Sequence, residues 1–203
     1  MHIRTSAAAL AVAVLLGTAG SAFAAEKEKM EKGEKMDKPA MMMSNPMVGG
    51  HAMLASKDIV SNAINSDDNK TLVAAVKAAG LVAALQGPGP LTVFAPTDEA
   101  FAVLPAGTVD NLVKPENKAT LTKILTYHVV AGKYDFKALA EAIEDGKGKA
   151  ALKTLQGETL LVQMNGPRNI TITDAKGNVA QINTYDVYQS NGVIQVIDKV
   201  LMP

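Results

Sequence analysis

The chain has 203 residues, with 20 basic and 20 acidic side chains, a formal net charge of +0 and no cysteine. This charge balance gives no general electrostatic attraction to nucleic acid or to an anionic membrane. The lack of cysteine excludes disulfides, thiolate nucleophiles, thiolate metal sites and a lipid-modified cysteine.

The first 24 residues have the pattern of a secretory signal peptide. Arg4 gives a positive start, residues 7–16 are continuously apolar, and residues 21–24 carry the small-x-small pattern that precedes cleavage. An apolar run of about 10 residues is half of the ~20 that a membrane-spanning helix needs. We therefore predict that residues 1–24 are removed and that the mature chain is secreted or periplasmic.

Residues 25–52 are predicted to form a flexible tether. Charges alternate from Glu26 to Lys32, and residues 25–47 include no aromatic or β-branched residue. Such a segment buries too little apolar surface to offset the entropy of ordering. The folded domain is therefore predicted to cover residues 53–203.

The end of this tether is rich in methionine, which suggests a second interpretation. Thioethers are soft ligands suited to Cu(I). The candidate copper ligands are Met41, Met42, Met43, Met47 and His51. The competing interpretation is low-complexity sequence without a metal, because adjacent methionines on a flexible segment lack a rigid scaffold.

Helical spacing of apolar residues begins after Leu54 and repeats as far as Gly80. Ser56 is placed to cap the first helix and Gly80 to end the second. The apolar faces comprise Ile59, Val60, Ala63 and Ile64 in the first helix and Leu72, Val73, Val76 and Ala79 in the second. A short apolar continuation over residues 81–85 ends at the Gly-Pro-Gly-Pro run 87–90.

Residues 91–95 are predicted to form a buried strand that Pro96 ends. Thr97 is placed to cap a short helix whose first turn is acidic, which suits the helix dipole. A further helix is predicted over residues 116–126, passing directly into an extended segment 127–130. One more amphipathic helix begins at Phe136 and closes in the loop 145–149.

From residue 152 onward the apolar period changes from about 3.6 to 2, the period of a strand. Five strands are predicted, at residues 152–155, 159–164, 170–173, 179–187 and 193–197. Turn-forming pairs such as Gln156-Gly157 and Asn191-Gly192 separate them. Helices first, hairpins second and one early strand indicate an α+β fold rather than an alternating parallel sheet.

Three blocks of the sequence resemble the fasciclin domain family. Residues 91–101 are similar to the family's first conserved box, Tyr127-His128 to its tyrosine–histidine motif, and residues 191–201 to its second box. The resemblance implies a β-wedge or sandwich of about seven strands with several flanking helices. It also implies a non-catalytic adhesive role outside the cytoplasm. Gln195 stands where members often have histidine, so no role that needs that imidazole is expected.

The resemblance also points to partner-binding residues. Adhesive members are thought to use an Asp-Ile pair just before the second box, and Asp186-Val187 occupies that place. Such a pair offers a partner one charge and one apolar contact. The competing interpretation makes Val187 a core residue and Asp186 a turn former. Tyr127 and His128 are the second candidate pair, against which stands a buried, hydrogen-bonded histidine.

The sequence contains no phosphate-binding glycine loop, no Gly-x-Ser-x-Gly elbow and no His-Glu-x-x-His motif. A catalytic centre would have to be built around His128 alone. We therefore predict no enzyme, no catalytic residue and no cofactor. The predicted function is an exported module that binds a protein or glycan partner. The alternatives are a periplasmic copper-handling protein and a structural envelope protein.

Overall fold

The computed structural model of the protein describes residues 45–203. The predicted signal peptide and most of the predicted tether, including Met41, Met42 and Met43, lie outside this range. Over the described part of the chain, no helix is long and apolar enough to cross a membrane.

A small hairpin opens the described part of the chain. Strands β1 (Met47–Val48) and β2 (His51–Ala52) pair antiparallel, and a turn of two glycines with positive φ connects them. Val48 is buried in the core, and Gly49 lies so close to the backbone nitrogens of Asp67 and Asp68 that no Cβ would fit. Residues 47–52 are therefore folded, although the sequence places them in the flexible tether. Their order comes from core contacts that the local composition does not reveal.

Seven α-helices lie within residues 45–203. They are α1 (Ile59–Ala63), α2 (Lys70–Ala79), α3 (Val82–Leu85), α4 (Asp98–Ala102), α5 (Thr108–Leu112), α6 (Lys118–Tyr127) and α7 (Phe136–Asp145). As predicted, Gly80 ends α2 in the left-handed conformation, and the Thr97 hydroxyl accepts the Ala100 N–H at the start of α4.

Two helix predictions are corrected, and one helix was not predicted. Asp58, not Ser56, caps α1 by accepting the Ser61 N–H at 2.9 Å. Ile64 follows α1 and is 50% exposed, so it is not part of the apolar face. The sequence also gives no sign of α5, whose five residues include none that is buried.

The extended segment that the sequence predicts over residues 127–130 begins two residues later, at Val129. Helix α6 runs through Tyr127, and His128 keeps a helical backbone at φ −82° and ψ −2°. Strand β4 is only Val129–Ala131. The reason lies in the His128 ring, whose Nδ1 is 2.8 Å from the carbonyl oxygen of Ile124 one turn back, so the side chain prolongs the last helical turn.

The main sheet has seven strands in the order β4-β3-β9-β8-β7-β6-β5. The remaining strands are β3 (Leu91–Pro96), β5 (Lys149–Lys153), β6 (Thr159–Met164), β7 (Ile170–Thr173), β8 (Val179–Gln189) and β9 (Gly192–Ile197). Only β3 and β9 pair in parallel. A bridge between Val130 and Thr154 joins the two end strands, so the sheet curls toward closure. This architecture confirms the predicted α+β wedge.

The curled sheet separates two large apolar clusters. The strand-side cluster lies against α7 and β5 to β8 and contains the buried rings of Phe94 and Tyr127. The helix-side cluster lies between the sheet and helices α1, α2, α3 and α6, and none of its buried members is aromatic. Strand β8 contributes residues to both clusters, because Ile182 packs in the strand-side cluster and Val187 in the helix-side cluster.

Candidate functional site

The Tyr127-His128 pair lies at the end of α6, inside the protein. His128 is 2% exposed. Its Nδ1 is 2.8 Å from the Ile124 carbonyl oxygen, and its Nε2 accepts the Leu201 N–H at 3.0 Å. These two partners assign the proton to Nδ1 of a neutral ring. Burial lowers the pKa of His128 to about 4, and neither ring nitrogen is left for proton transfer to a substrate.

Tyr127 connects the same helix end to the turn between β7 and β8. Its ring is fully buried, and its hydroxyl accepts the Ala175 N–H at 2.9 Å. Burial is the main cause that raises the pKa of Tyr127. In that turn, the Asp174 carboxylate accepts the Met202 N–H at 2.9 Å. We call Tyr127, His128 and Asp174 the clamp, because together they tie α6, the β7–β8 turn and the C-terminal segment.

The clamp side chains present almost no surface to a partner. The interpretation of His128 as a buried, hydrogen-bonded histidine therefore describes its place in the structure.

The second predicted pair, Asp186-Val187, is divided between surface and core. Val187 is fully buried in the helix-side cluster and offers no surface for binding. Asp186 is half-buried at an irregularity of β8, where two residues, 185 and 186, stand opposite Gln195. Its φ of 59° is in the left-handed region, which few residues other than glycine adopt. The predicted combination of one charge and one apolar contact is therefore reduced to the aspartate.

The Asp186 carboxylate organises the backbone around it. Its Oδ1 accepts the Phe136 N–H at 2.6 Å, at the start of α7. Gln195 is fully buried, accepts the Asp186 N–H at 3.1 Å, and donates to the Tyr134 carbonyl at 2.9 Å. Gln195 thus provides, without a titratable ring, the link between β9, the bulge and the loop before α7.

Half of the protein's aromatic residues surround this bulge. The chain has four tyrosines and four phenylalanines. We call the four half-buried rings here the aromatic patch: Tyr134, Phe136, Tyr185 and Tyr188. Phe136 and Tyr185 meet edge to face with centroids 5.3 Å apart. The sequence signal for this surface is the Tyr-x-x-Tyr spacing around Asp186.

Charged groups frame the aromatic patch on one side. The Tyr188 hydroxyl donates to Asp135 Oδ2 at 3.3 Å, and the Lys133 ammonium lies 4.5 Å from the centre of the Tyr188 ring. Burial, followed by the charges of Asp186 and Asp135, raises the pKa of Tyr188 to about 12. The hydroxyl therefore remains a protonated donor at any physiological pH.

The predicted copper ligands are not brought together where the structure describes them. Met47 pairs with Ala52 and His51 pairs with Val48. Adjacent residues along a strand face opposite sides, so Met47 and His51 lie on opposite faces of the hairpin. His51 lies 3.3 Å from Asp67. No group of three or more His, Cys, Asp or Glu capable of holding a metal occurs among residues 45–203.

Known proteins resemble this chain in sequence and in fold. A family model described as fasciclin domain matches residues 67–203. Protein sll1483 of Synechocystis sp. is 41% identical over 201 residues, which is 99% of each chain. Human periostin is 31% identical over 137 residues, covering 68% of this chain and 15% of periostin.

Two further matches extend the comparison. The cell surface glycolipoprotein MPB83 of Mycobacterium bovis is 37% identical over 160 residues, covering 76% of this chain and 64% of that protein. A solved pair of FAS1 domains from the insect cell adhesion molecule fasciclin I superposes with a TM-score of 0.64. It covers 72% of this chain and 51% of that chain at 18% identity, so it supports the fold alone.

Proposed function

The chain belongs to the fasciclin domain family, and from this premise we propose that it is an exported, non-catalytic adhesion module that binds a protein or glycan partner outside the cytoplasm. Membership in the family and the likeness to the cell surface glycolipoprotein MPB83 support this role. The observation within the structure that carries it is the aromatic patch around Asp186.

The patch has the physical properties of a recognition surface. Tyrosine is enriched at protein interfaces because its ring offers a large contact area together with a polar hydroxyl. Here the rings are half-buried and held by contacts such as the 5.3 Å edge-to-face pair. Less side-chain entropy is lost on binding when the side chains are already ordered.

The polar groups near the patch support binding rather than catalysis. The Asp186 Oδ1 atom accepts from a backbone N–H and from the Gln195 amide, at 2.6 and 3.3 Å. His128 uses both ring nitrogens for backbone contacts. These groups fix the shape of the surface, and the rings provide its contact area.

A bead assay tests the proposal. Beads coated with the mature protein are mixed with cells of the producing bacterium and with protein and glycan fractions of its envelope. We expect a Tyr134→Ser/Tyr188→Ser variant to lose most of the binding. The matched control is Val103→Ser, because Val103 is 75% exposed and lies outside the patch. Deleting residues 25–44 should leave binding unchanged.

The proposal fails if the patch variant, shown by circular dichroism to be folded, binds as well as the wild type. It also fails if no fraction is bound by the wild-type beads. Loss of binding in the Val103→Ser control alone would place the adhesive surface elsewhere.

A further inference from the structure

Two concave regions of the described chain could accept a ligand by shape, and they differ in size and chemistry. The first is an almost wholly apolar void of about 40 Å³ within the helix-side cluster. It is about a quarter of the ~150 Å³ apolar cavity that admits benzene in an engineered protein. The second is a polar surface groove of about 360 Å³, within the range of roughly 300–1,000 Å³ typical of small-molecule sites.

The groove lies where the parallel strands β3 and β9 begin. Leu91 and Gly192 are paired there, and the segments that precede them form the walls. The residues that line the groove are Gly89, Pro90, Lys133, Gln189, Ser190, Asn191 and Gly192. A Cβ on Gly192 would collide with the Leu91 carbonyl, and one on Gly89 with the Asn191 carbonyl. Glycine is thus required for the two walls to approach so closely.

Hydrogen bonds hold the groove in a preformed shape. The Asn191 side chain accepts the Ile59 N–H at 3.1 Å and donates to the carbonyls of Leu85 and Gly87 at 2.8 and 3.1 Å. The Ser190 N–H donates to the Lys57 carbonyl at 2.9 Å. A ligand would therefore meet a surface whose backbone is already fixed, which reduces the entropic cost of binding.

The charge in the groove comes from Lys133. Its ammonium is 4.5 Å from the centre of the Tyr188 ring, and among residues 45–203 it forms no ion pair with a carboxylate. No acidic residue lines the groove. Ser190 is exposed and adds a hydroxyl that can donate and accept. The site thus offers one positioned cation among hydroxyl and backbone groups.

We propose that this groove binds a single uronic acid unit of a glycan, with its carboxylate on Lys133 and its hydroxyls on Ser190 and the groove backbone. This inference rests on the proposed adhesive function and narrows its partner to an acidic glycan. A monoanionic carboxylate matches one ammonium. Phosphate sites instead gather several donors, often the planar fork of arginine.

The shape of the groove also favours a sugar over an acidic peptide. Peptide-binding clefts combine main-chain pairing along a strand edge or an apolar groove with pockets for alternate side chains. The walls here are backbone turns and polar groups, and the paired edges of β3 and β9 are already occupied by their neighbours. A sugar ring has hydroxyls on all sides, which suits such walls.

Titrations followed by amide NMR shifts test the proposal on the mature protein. The probes are methyl glucuronide and the neutral methyl glucoside. We expect the glucuronide to shift amides of residues 89–91 and 189–192 and to bind at least about tenfold more tightly than the glucoside, because a hydrogen bond to a charged group is lost with the latter. The preference should decrease as salt is added, because the carboxylate–ammonium attraction is screened.

A matched pair of lysine variants isolates the cation. Lys133→Met should weaken glucuronide binding at least about tenfold. Lys137→Met should not, because Lys137 lies on α7 outside the groove, with its side chain 84% exposed and paired with Glu141 at 3.7 Å. Both variants should retain a dispersed amide spectrum.

Three outcomes would overturn the inference: no shift in the groove at millimolar glucuronide, equal binding of the two sugars, or equal loss in both lysine variants. A competition experiment adds one more such outcome. If an acetylated glutamate peptide displaces the glucuronide and binds more tightly than the glucuronide does, the inference is overturned in favour of an acidic protein partner. If the beads still bind envelope while glucuronide does not bind, only this inference fails. If glucuronide binds but the beads bind nothing, the proposed adhesion fails.

Discussion

The two apolar clusters on either side of the curled sheet are packed differently. The strand-side cluster contains two fully buried rings, Phe94 and Tyr127, and many side chains with no exposed surface. The helix-side cluster has no buried phenylalanine or tyrosine and encloses the 40 Å³ void. The difference indicates that the strand side is close to its packing limit, whereas the helix side has unused volume.

The features related to function lie where the two clusters meet. Strand β8 passes from one cluster to the other between Ile182 and Val187, and the Asp186 bulge lies in this interval. A bulge turns a strand and re-aims its side chains, so Tyr185 and Tyr188 reach the surface there. The clamp at Tyr127-His128 joins the two clusters from within.

Truncation of one leucine in each cluster should give the largest effect. Leu160→Ala on the strand side should lower the free energy of unfolding by about 3–5 kcal/mol, and Leu72→Ala on the helix side by about 2–3 kcal/mol. Leu160 is fully buried, whereas Leu72 is 7% exposed and borders the void. Leu72 therefore makes fewer packing contacts in the wild type, and its truncation removes fewer of them. Urea unfolding measures both. Equal losses, or a larger loss for Leu72→Ala, would contradict the difference in packing.

The clamp should make stability depend on pH. The ordinary histidine pKa of 6.5 applies to the unfolded chain, whereas burial lowers the pKa of His128 to about 4 in the folded protein. Unfolding therefore takes up a proton between these values, and the free energy of unfolding falls as the pH drops from about 6.5 toward 4. The loss is at most about 3 kcal/mol.

Urea unfolding at several pH values between 4 and 7.5 measures this dependence. His128→Gln removes the titrating ring and should flatten the curve relative to the wild type. An unchanged slope in His128→Gln would show that His128 is not the group responsible.

Addition of one methylene to each cluster should give the smallest effect, with opposite signs. Val93→Ile adds a methylene beside the void and should raise the free energy of unfolding by up to about 0.8 kcal/mol. Val162→Ile adds one where no surface is exposed and should lower it by about 1–3 kcal/mol through overpacking. Thermal melts of the two variants test this. A gain in both, or a loss in both, would mean that the clusters tolerate added volume equally.

Local pattern predicts much of the fold. The bounds of β6 and β7 are found where strand alternation places them, and Gly80 and Thr97 act as predicted. These features depend on residues within one turn or one strand. The hairpin at residues 47–52 was missed because its stability comes from burying Val48 against residues that lie far along the chain.

The candidate site was less predictable because, like the hairpin, it depends on contacts between residues that are far apart in the sequence. The Nε2 of His128 accepts the N–H of Leu201, 73 residues away, and Asp186 accepts the N–H of Phe136, 50 residues away. The groove combines three segments that are separate in the sequence. The family resemblance located Asp186 and the tyrosine–histidine pair, but only the fold shows which of them reach the surface.

The central claim is that the buried clamp stabilises the protein while the aromatic patch binds its partner. The most direct test is to measure the melting temperature and the bead binding of His128→Ala. We predict a melting temperature lower by several degrees, with binding retained while the protein is folded. An unchanged melting temperature together with lost binding would contradict the claim and would make His128 part of the adhesive site.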